Sequence, residues 1–150
     1  MSNSSWVSKA TFNQKPWGRE IVASNHSNIA AKLITINSGE STSFKYNKIK
    51  FESLVVLKGK VRAYFANSDF FDEPKCTLKT KLLEVGDCLN VQCGCPYRLE
   101  ALTTSQILEI GNCTNNERFN TIRIIDEYGR ESNKSTQEKK EKIKKCIRNL

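Results

Sequence analysis

Between residues 15 and 130 the apolar positions fall in short runs, several alternating with polar ones, and turn-forming residues close most of them. Residues 31–36 read Ala-Lys-Leu-Ile-Thr-Ile and stop at Asn37-Ser38-Gly39. Apolar runs at 53–57 and 61–65 flank Lys58-Gly59-Lys60 and predict a hairpin. Further runs at 78–85, 88–91, 97–102 and 106–110 follow at close intervals. Asp69, Asp72 and Pro74 disfavour strand interiors, so residues 70–75 read as an insertion at a hairpin tip. Many short strands separated by turn signals predict an all-β sandwich or barrel. There is no internal repeat.

The period changes near the C-terminus. Ser135-Thr136-Gln137-Glu138 fits a capping box, in which the Ser caps the first turn and the Glu reaches back. Ile143, Cys146, Ile147 and Leu150 then recur at i, i+3, i+4 and i+7, with lysines around them. This predicts a short amphipathic helix over 136–149. The helix either docks on the barrel or frays in solvent, or else serves a protein partner, a nucleic acid or a membrane surface. Residues 1–14 are polar, with Trp6 and Phe12 as isolated anchors, and read as a loose arm. The expected organisation is an arm (1–14), a β-barrel (15–130) and a basic helical tail (131–150).

A chain of 150 residues defaults to one domain and buries enough surface to fold without a metal or disulfide. The N-terminus lacks a basic start followed by an apolar run, and no stretch approaches the ~20 apolar residues of a membrane helix. A cytoplasmic chain without a membrane span is expected, its six cysteines being free thiols. Cys93-Gly94-Cys95 is too tightly spaced for a zinc knuckle. The net charge is +8, but residues 131–150 carry seven Lys/Arg against three Glu and hold half of it. That uneven spread argues against a nucleic-acid surface.

Two blocks carry the candidate chemistry. The first is Gly39-x5-Lys45-x-Asn47-x4-Glu52-x6-Gly59, and the second Gly86-x5-Gln92-x-Gly94-x2-Tyr97-x3-Ala101. They resemble the two motifs of the cupin family, which read Gly-x5-His-x-His, three or four residues, Glu-x6-Gly, and Gly-x5-Pro-x-Gly-x2-His-x3-Asn. Lys45, Asn47 and Tyr97 stand at the three imidazole positions, while the glycines and Glu52 remain. Two flanking segments add to this. Lys15-Pro16-Trp17-Gly18-Arg19-Glu20 and Ile122-Arg123-Ile124-Ile125-Asp126-Glu127-Tyr128-Gly129-Arg130 resemble the opening and closing sequences of the cupin domain of type II mannose-6-phosphate isomerases. The resemblance implies a double-stranded β-helix, the jelly-roll barrel. It also implies a divalent metal in the barrel mouth, isomerisation of a sugar phosphate, and barrels that can form homodimers.

The residues present argue against the metal. Zinc takes imidazole, thiolate or carboxylate ligands. Lys45 brings an ammonium, Asn47 a weak amide oxygen and Tyr97 a phenol, neutral at pH 7. The sole histidine, His26, precedes the first block and reads as a surface residue. No metal and no cofactor are expected. Three uses of the mouth remain open. Lys45 and Glu52 could pair across it as structural filling. Alternatively Lys45, Asn47, Glu52 and Tyr97 could bind a small carbohydrate, sugar phosphate, nucleotide sugar or glycan, with Arg123 and Arg130 available for a phosphate, or the barrel could be a structural or regulatory partner in carbohydrate metabolism. Arg130 could instead clamp Asp126 or Glu127. A third use is divergent isomerase or epimerase catalysis by Lys45, Glu52 and Tyr97. Trp17 and Tyr128 read as packing residues at the barrel end.

Overall fold

The computed structural model describes residues 2–26, 28–75, 77–112, 120–130 and 137–150. Its strands are β1 (Thr11–Lys15), β2 (Gly18–His26), β3 (Ile29–Ile36), β4 (Phe44–Asn47), β5 (Glu52–Lys58), β6 (Val61–Phe65), β7 (Lys79–Leu83), β8 (Cys88–Val91), β9 (Tyr97–Ala101), β10 (Ser105–Asn112) and β11 (Thr121–Ile125). A 3-10 turn spans Ser68–Phe71, and one α-helix, α1, spans Gln137–Arg148. Two sheets form. Sheet A has the order β1-β2-β3-β10-β5-β8, and sheet B the order β11-β4-β9-β6-β7. Every pairing is antiparallel. This is a jelly-roll barrel with a short C-terminal helix. The helix is neither long nor apolar enough to cross a membrane.

Alternation along the strands builds the interior. Ile34 and Ile36 of β3, Leu54 and Val56 of β5, Val61 and Ala63 of β6, Leu99 and Ala101 of β9, and Ile107 of β10 meet between the sheets. Successive side chains leave a strand on opposite faces, so the intervening residues point outward.

The expected hairpin between 53–57 and 61–65 does not form. β5 pairs with β10 and β8 in sheet A, while β6 pairs with β7 and β9 in sheet B. Lys58-Gly59-Lys60 therefore carries the chain from one sheet to the other. Gly59 adopts φ +87°, and a Cβ there would lie 2.3 Å from Ser105 Oγ and 2.7 Å from the Thr104 carbonyl oxygen. Short spacing alone does not distinguish such a corner from a hairpin turn.

The N-terminal boundary also moves. Thr11–Lys15 is a strand, paired with β2 from Thr11↔Val22 to Lys15↔Gly18. The sheet thus takes in part of the segment expected to be a loose arm. Pro16 and Trp17 form the two-residue link, and a Cβ on Gly18 would meet the Thr35 carbonyl oxygen at 2.0 Å. The glycine of the Pro-Trp-Gly sequence is needed for that close approach.

The tail packs against sheet B. Ile143 is fully buried in a second apolar cluster with Phe44, Phe70 and Ile124, flanked by Cys146 and Ile147. Lys139 Nζ lies 5.0 Å from the Tyr46 ring and 5.1 Å from Phe71, and Lys142 Nζ lies 4.7 Å from Phe70. The insertion between β6 and β7 thus supplies, through Phe70 and Phe71, part of the helix's seat. Ser135 and Thr136 of the expected capping box lie outside the described residues, as do Cys76 and Cys113.

Candidate functional site

The barrel mouth is built by β4, the turn after it, β5 and β9. Lys45 on β4 faces Tyr97 on β9, and its Nζ lies 5.7 Å from the Tyr97 ring centroid. The Tyr97 hydroxyl donates to Glu52 Oε1 at 2.5 Å, and both residues are buried. Asn47 lines the same recess, as does Thr121, which accepts a hydrogen bond from Asn47 Nδ2 at 3.0 Å. Spacing in the two motif blocks thus brings Lys45, Asn47, Glu52 and Tyr97 together.

The ion partner of Glu52 is Lys50, not Lys45. Lys50 Nζ lies 3.2 Å from Glu52 Oε2 and donates to Glu109 Oε1 at 2.8 Å. All three side chains are buried. Asn47 causes this placement. Its Oδ1 accepts from the backbone N–H groups of Ile49 and Lys50 at 3.0 and 2.8 Å, turning the chain so that Lys50 points into the barrel. Sequence reasoning missed Lys50 because it sits in a turn and belongs to no periodic run. Glu109 carried a readable signal: it shares strand parity with the core residue Ile107.

Burial, and then the neighbouring Glu109 carboxylate, raise the Glu52 carboxyl above its ordinary range, against the pull of Lys45, Lys50 and the Tyr97 hydrogen bond. Burial also opposes ionisation of Glu109. There Lys50, Lys45 and Lys32 outweigh it and bring the carboxyl down to about 2.

The donor set does not fit a divalent metal. The imidazole positions hold an ammonium, an amide and a phenol, and a second ammonium, that of Lys50, lies against the one motif carboxylate. A cation placed beside Glu52 would meet two positive charges. His26 lies at the end of β2, where its ring meets Trp6 edge-on at 5.1 Å.

The recess between Lys45, Asn47, Glu52 and Tyr97 has about 10 Å³ of free space, roughly the room of one water. A second opening, wider than this recess, lies on the other side of Lys45. It is a cavity of about 240 Å³ between β2–β3 of sheet A and β4–β11 of sheet B. Among the described residues its cations are Lys15, Lys32, Lys45, Arg123 and Arg130, and its one carboxylate is Glu20. Trp17, Thr42, Ser43 and Thr121 complete the wall. Lys15 pairs with Glu20 at 3.3 Å. Arg130 clamps Asp126 through Nε and Nη2 at 2.9 and 2.7 Å. Lys45 makes no ion pair among the described residues, and Arg123 lies opposite it in the β4–β11 register. Tyr128 closes this end of the barrel by donating to the Glu40 carboxylate and accepting from the Ser41 N–H. Of the site residues expected from sequence, Lys45, Arg123 and Arg130 line this cavity. Lys15, Lys32 and Glu20 were not foreseen in it.

No protein-family model matches the sequence, and no curated protein sequence matches it. Solved structures do match the fold. KdgF from Halomonas sp. superposes with a TM-score of 0.58 at 11% identity, covering 72% of this chain and 92% of that one. Oxalate decarboxylase from Bacillus subtilis superposes with a TM-score of 0.65 at 14% identity, covering 77% of this chain and 30% of that one. The vicilin from Solanum melongena, described as having different anionic ligands in structurally similar pockets, gives 0.57 at 20% identity over 66% of this chain and 26% of that one. The chain spans less than a third of the latter two. These are cupin-fold proteins, and the fold of this chain is theirs.

Proposed function

We propose that this protein is a metal-independent cupin-fold binding protein, and that its basic cavity takes a small phosphorylated monosaccharide. One observation carries the reading: five cationic side chains and a single carboxylate surround a cavity of about 240 Å³. Lys45 and Arg123 face each other on adjacent strands in the wall of this cavity and are the pair assigned to the phosphate. Arginine supplies a forked donor and lysine a mobile point charge. Thr42, Ser43, Thr121 and Glu20 offer partners for sugar hydroxyls. Ligand pockets commonly hold ~300–1,000 Å³, so this cavity suits a monosaccharide phosphate better than a nucleotide sugar or glycan. The resemblance of residues 15–20 and 122–130 to a mannose-6-phosphate isomerase domain points to the same ligand class. The anionic ligands described for the Solanum melongena vicilin support a negatively charged ligand, without specifying a sugar.

Binding rather than turnover is favoured by the state of Glu52. It is engaged by Tyr97 and Lys50 in a recess with room for about one water. The test is calorimetric titration of the full chain with mannose 6-phosphate, inorganic phosphate and mannose. The expected order is mannose 6-phosphate, then phosphate, with mannose weakest. Lys45→Ala and Arg123→Ala should each weaken the first by roughly tenfold or more, as loss of a charge-assisted contact does. Equal affinity for mannose and its phosphate would overturn the proposal. Conversion of mannose 6-phosphate to fructose 6-phosphate would show an enzyme instead.

A further inference from the structure

A further opening, of different chemistry, shares Glu52 with the recess of the barrel mouth. It is a groove of about 590 Å³ at the edge of sheet A, between the start of β5 and the end of β8. Among the described residues that line it none is cationic, and its one carboxylate is Glu52, which Lys50 meets at 3.2 Å.

The wall of the groove joins an exposed ring to side-chain amides. Phe51 is 57% exposed. Its N–H donates to Asn112 Oδ1 at 2.9 Å, and its carbonyl accepts from the Asn112 N–H at 3.4 Å. Gly111 permits that approach, since a Cβ there would lie 2.6 Å from the Phe51 carbonyl oxygen. A fixed backbone thus holds the ring in water. Asn90 and Gln92 stand on either side of the buried Val91, so strand alternation sends both amides the same way. Ser53, the partner of Asn90 across the strands, donates to Asn90 Oδ1 at 2.7 Å and leaves the Asn90 Nδ2 to donate elsewhere. The Gln92 side chain makes no hydrogen bond among the described residues.

We infer that this groove binds a neutral saccharide, one pyranose ring lying on Phe51 and its hydroxyls meeting Asn90, Gln92 and Ser53. The wall selects that class. A phosphate, sulfate or carboxylate finds no cation among the described lining residues. A cationic ligand finds one carboxylate, which already has its own ammonium. The remaining class is a neutral ligand with an apolar face for the ring and groups that both give and take hydrogen bonds. A pyranose has C–H groups on its faces and hydroxyls around its rim, and an amide side chain likewise offers a donor and an acceptor. The volume lies within the ~300–1,000 Å³ usual for ligand sites. No residue lines both this groove and the basic cavity, so the two sites stand or fall separately.

Cellobiose is the probe, because its ring hydroxyls are equatorial and its ring faces apolar. Sorbitol, with hydroxyls but no ring, is the control. Titration of the full chain is followed in nitrogen–proton correlation spectra. Cellobiose should give saturable shifts at residues 51–53 and 90–93 and at the Asn90 and Gln92 side-chain amides, and sorbitol none. Phe51→Ala should weaken binding roughly tenfold and Gln92→Ala roughly fivefold. Phe51→Trp keeps the platform and should bind at least as tightly as the parent. Titration with mannose 6-phosphate should give the same result in all three variants as in the parent. Shifts that do not saturate, that sorbitol reproduces, or that persist at full affinity in Phe51→Ala would overturn the inference. So would adenosine binding the same amides more tightly than cellobiose, which would give the groove to a planar base.

Discussion

A single turn residue, Lys50, decides the chemistry of the barrel mouth. Its ammonium is shared by Glu52 and Glu109, and removing it would leave two buried carboxylates facing each other. Breaking a buried pair from one side costs about 3–5 kcal/mol. Lys50→Met should therefore lower unfolding stability by about that amount, whereas Lys45→Met should lower it much less. Urea denaturation of the two variants compares them; equal losses would return Lys45 to the structural role. The pH dependence has two limbs. Glu109 is depressed to about 2 from 4.5, so its contribution is present above pH 4.5 and disappears as pH falls toward 2. At 1.36 kcal/mol per pH unit this amounts to roughly 3 kcal/mol. Glu52 is raised, so its contribution is full below 4.5 and fades as pH rises through its folded pKa. Stability should thus gain from Glu52 as the pH descends toward 4.5, then fall steeply. Glu109→Gln should flatten the acid limb and Glu52→Gln the limb above it; an unchanged profile in either variant would contradict the assignment. From the sequence, motif spacing located Lys45, Asn47, Glu52 and Tyr97 because strand parity is periodic. Lys50 was hidden because an Asn47 side-chain turn, not a period, aims it inward.

Strands with strict alternation were readable at the level of elements. Residues 61–65 and 88–91 are strands with those same bounds. β2, β4 and β11 gave weaker patterns, since charged lumen residues such as Glu20, Lys45 and Arg123 occupy inward positions where apolar ones would mark the face. β1 was hidden in a polar segment whose order comes from pairing with β2 rather than from burial. Partner choice was illegible at the corner 58–60, because sheet assignment depends on distant strands. The helix was readable from its 3.6-residue period, and its seat explains its order, since a helix this short is marginal alone. Ile143→Ala removes a fully buried side chain and should cost about 2–5 kcal/mol. Hydrogen exchange should then quicken across residues 137–148 while β5 and β10 stay protected. Equal quickening throughout would place the helix within the barrel's own cooperative unit.

At the scale of the whole molecule, the two ends of the charge distribution do different things. Lys139 and Lys142 of the tail lie over aromatic rings of β4 and of the β6–β7 insertion, while the cations of the mouth gather around a cavity. Phosphate-ligand affinity should therefore fall as salt rises, since the cavity is open to solvent and screening acts over ~8–10 Å. An affinity for mannose 6-phosphate that ignores salt would argue against recognition by charge. We propose that the ammonium of Lys50, shared by Glu52 and Glu109, occupies the mouth in place of a divalent metal. Elemental analysis of protein purified without chelator tests it most directly. The account predicts well under one zinc, iron or manganese per chain. One metal ion per chain, lost on Glu52→Ala, would contradict it.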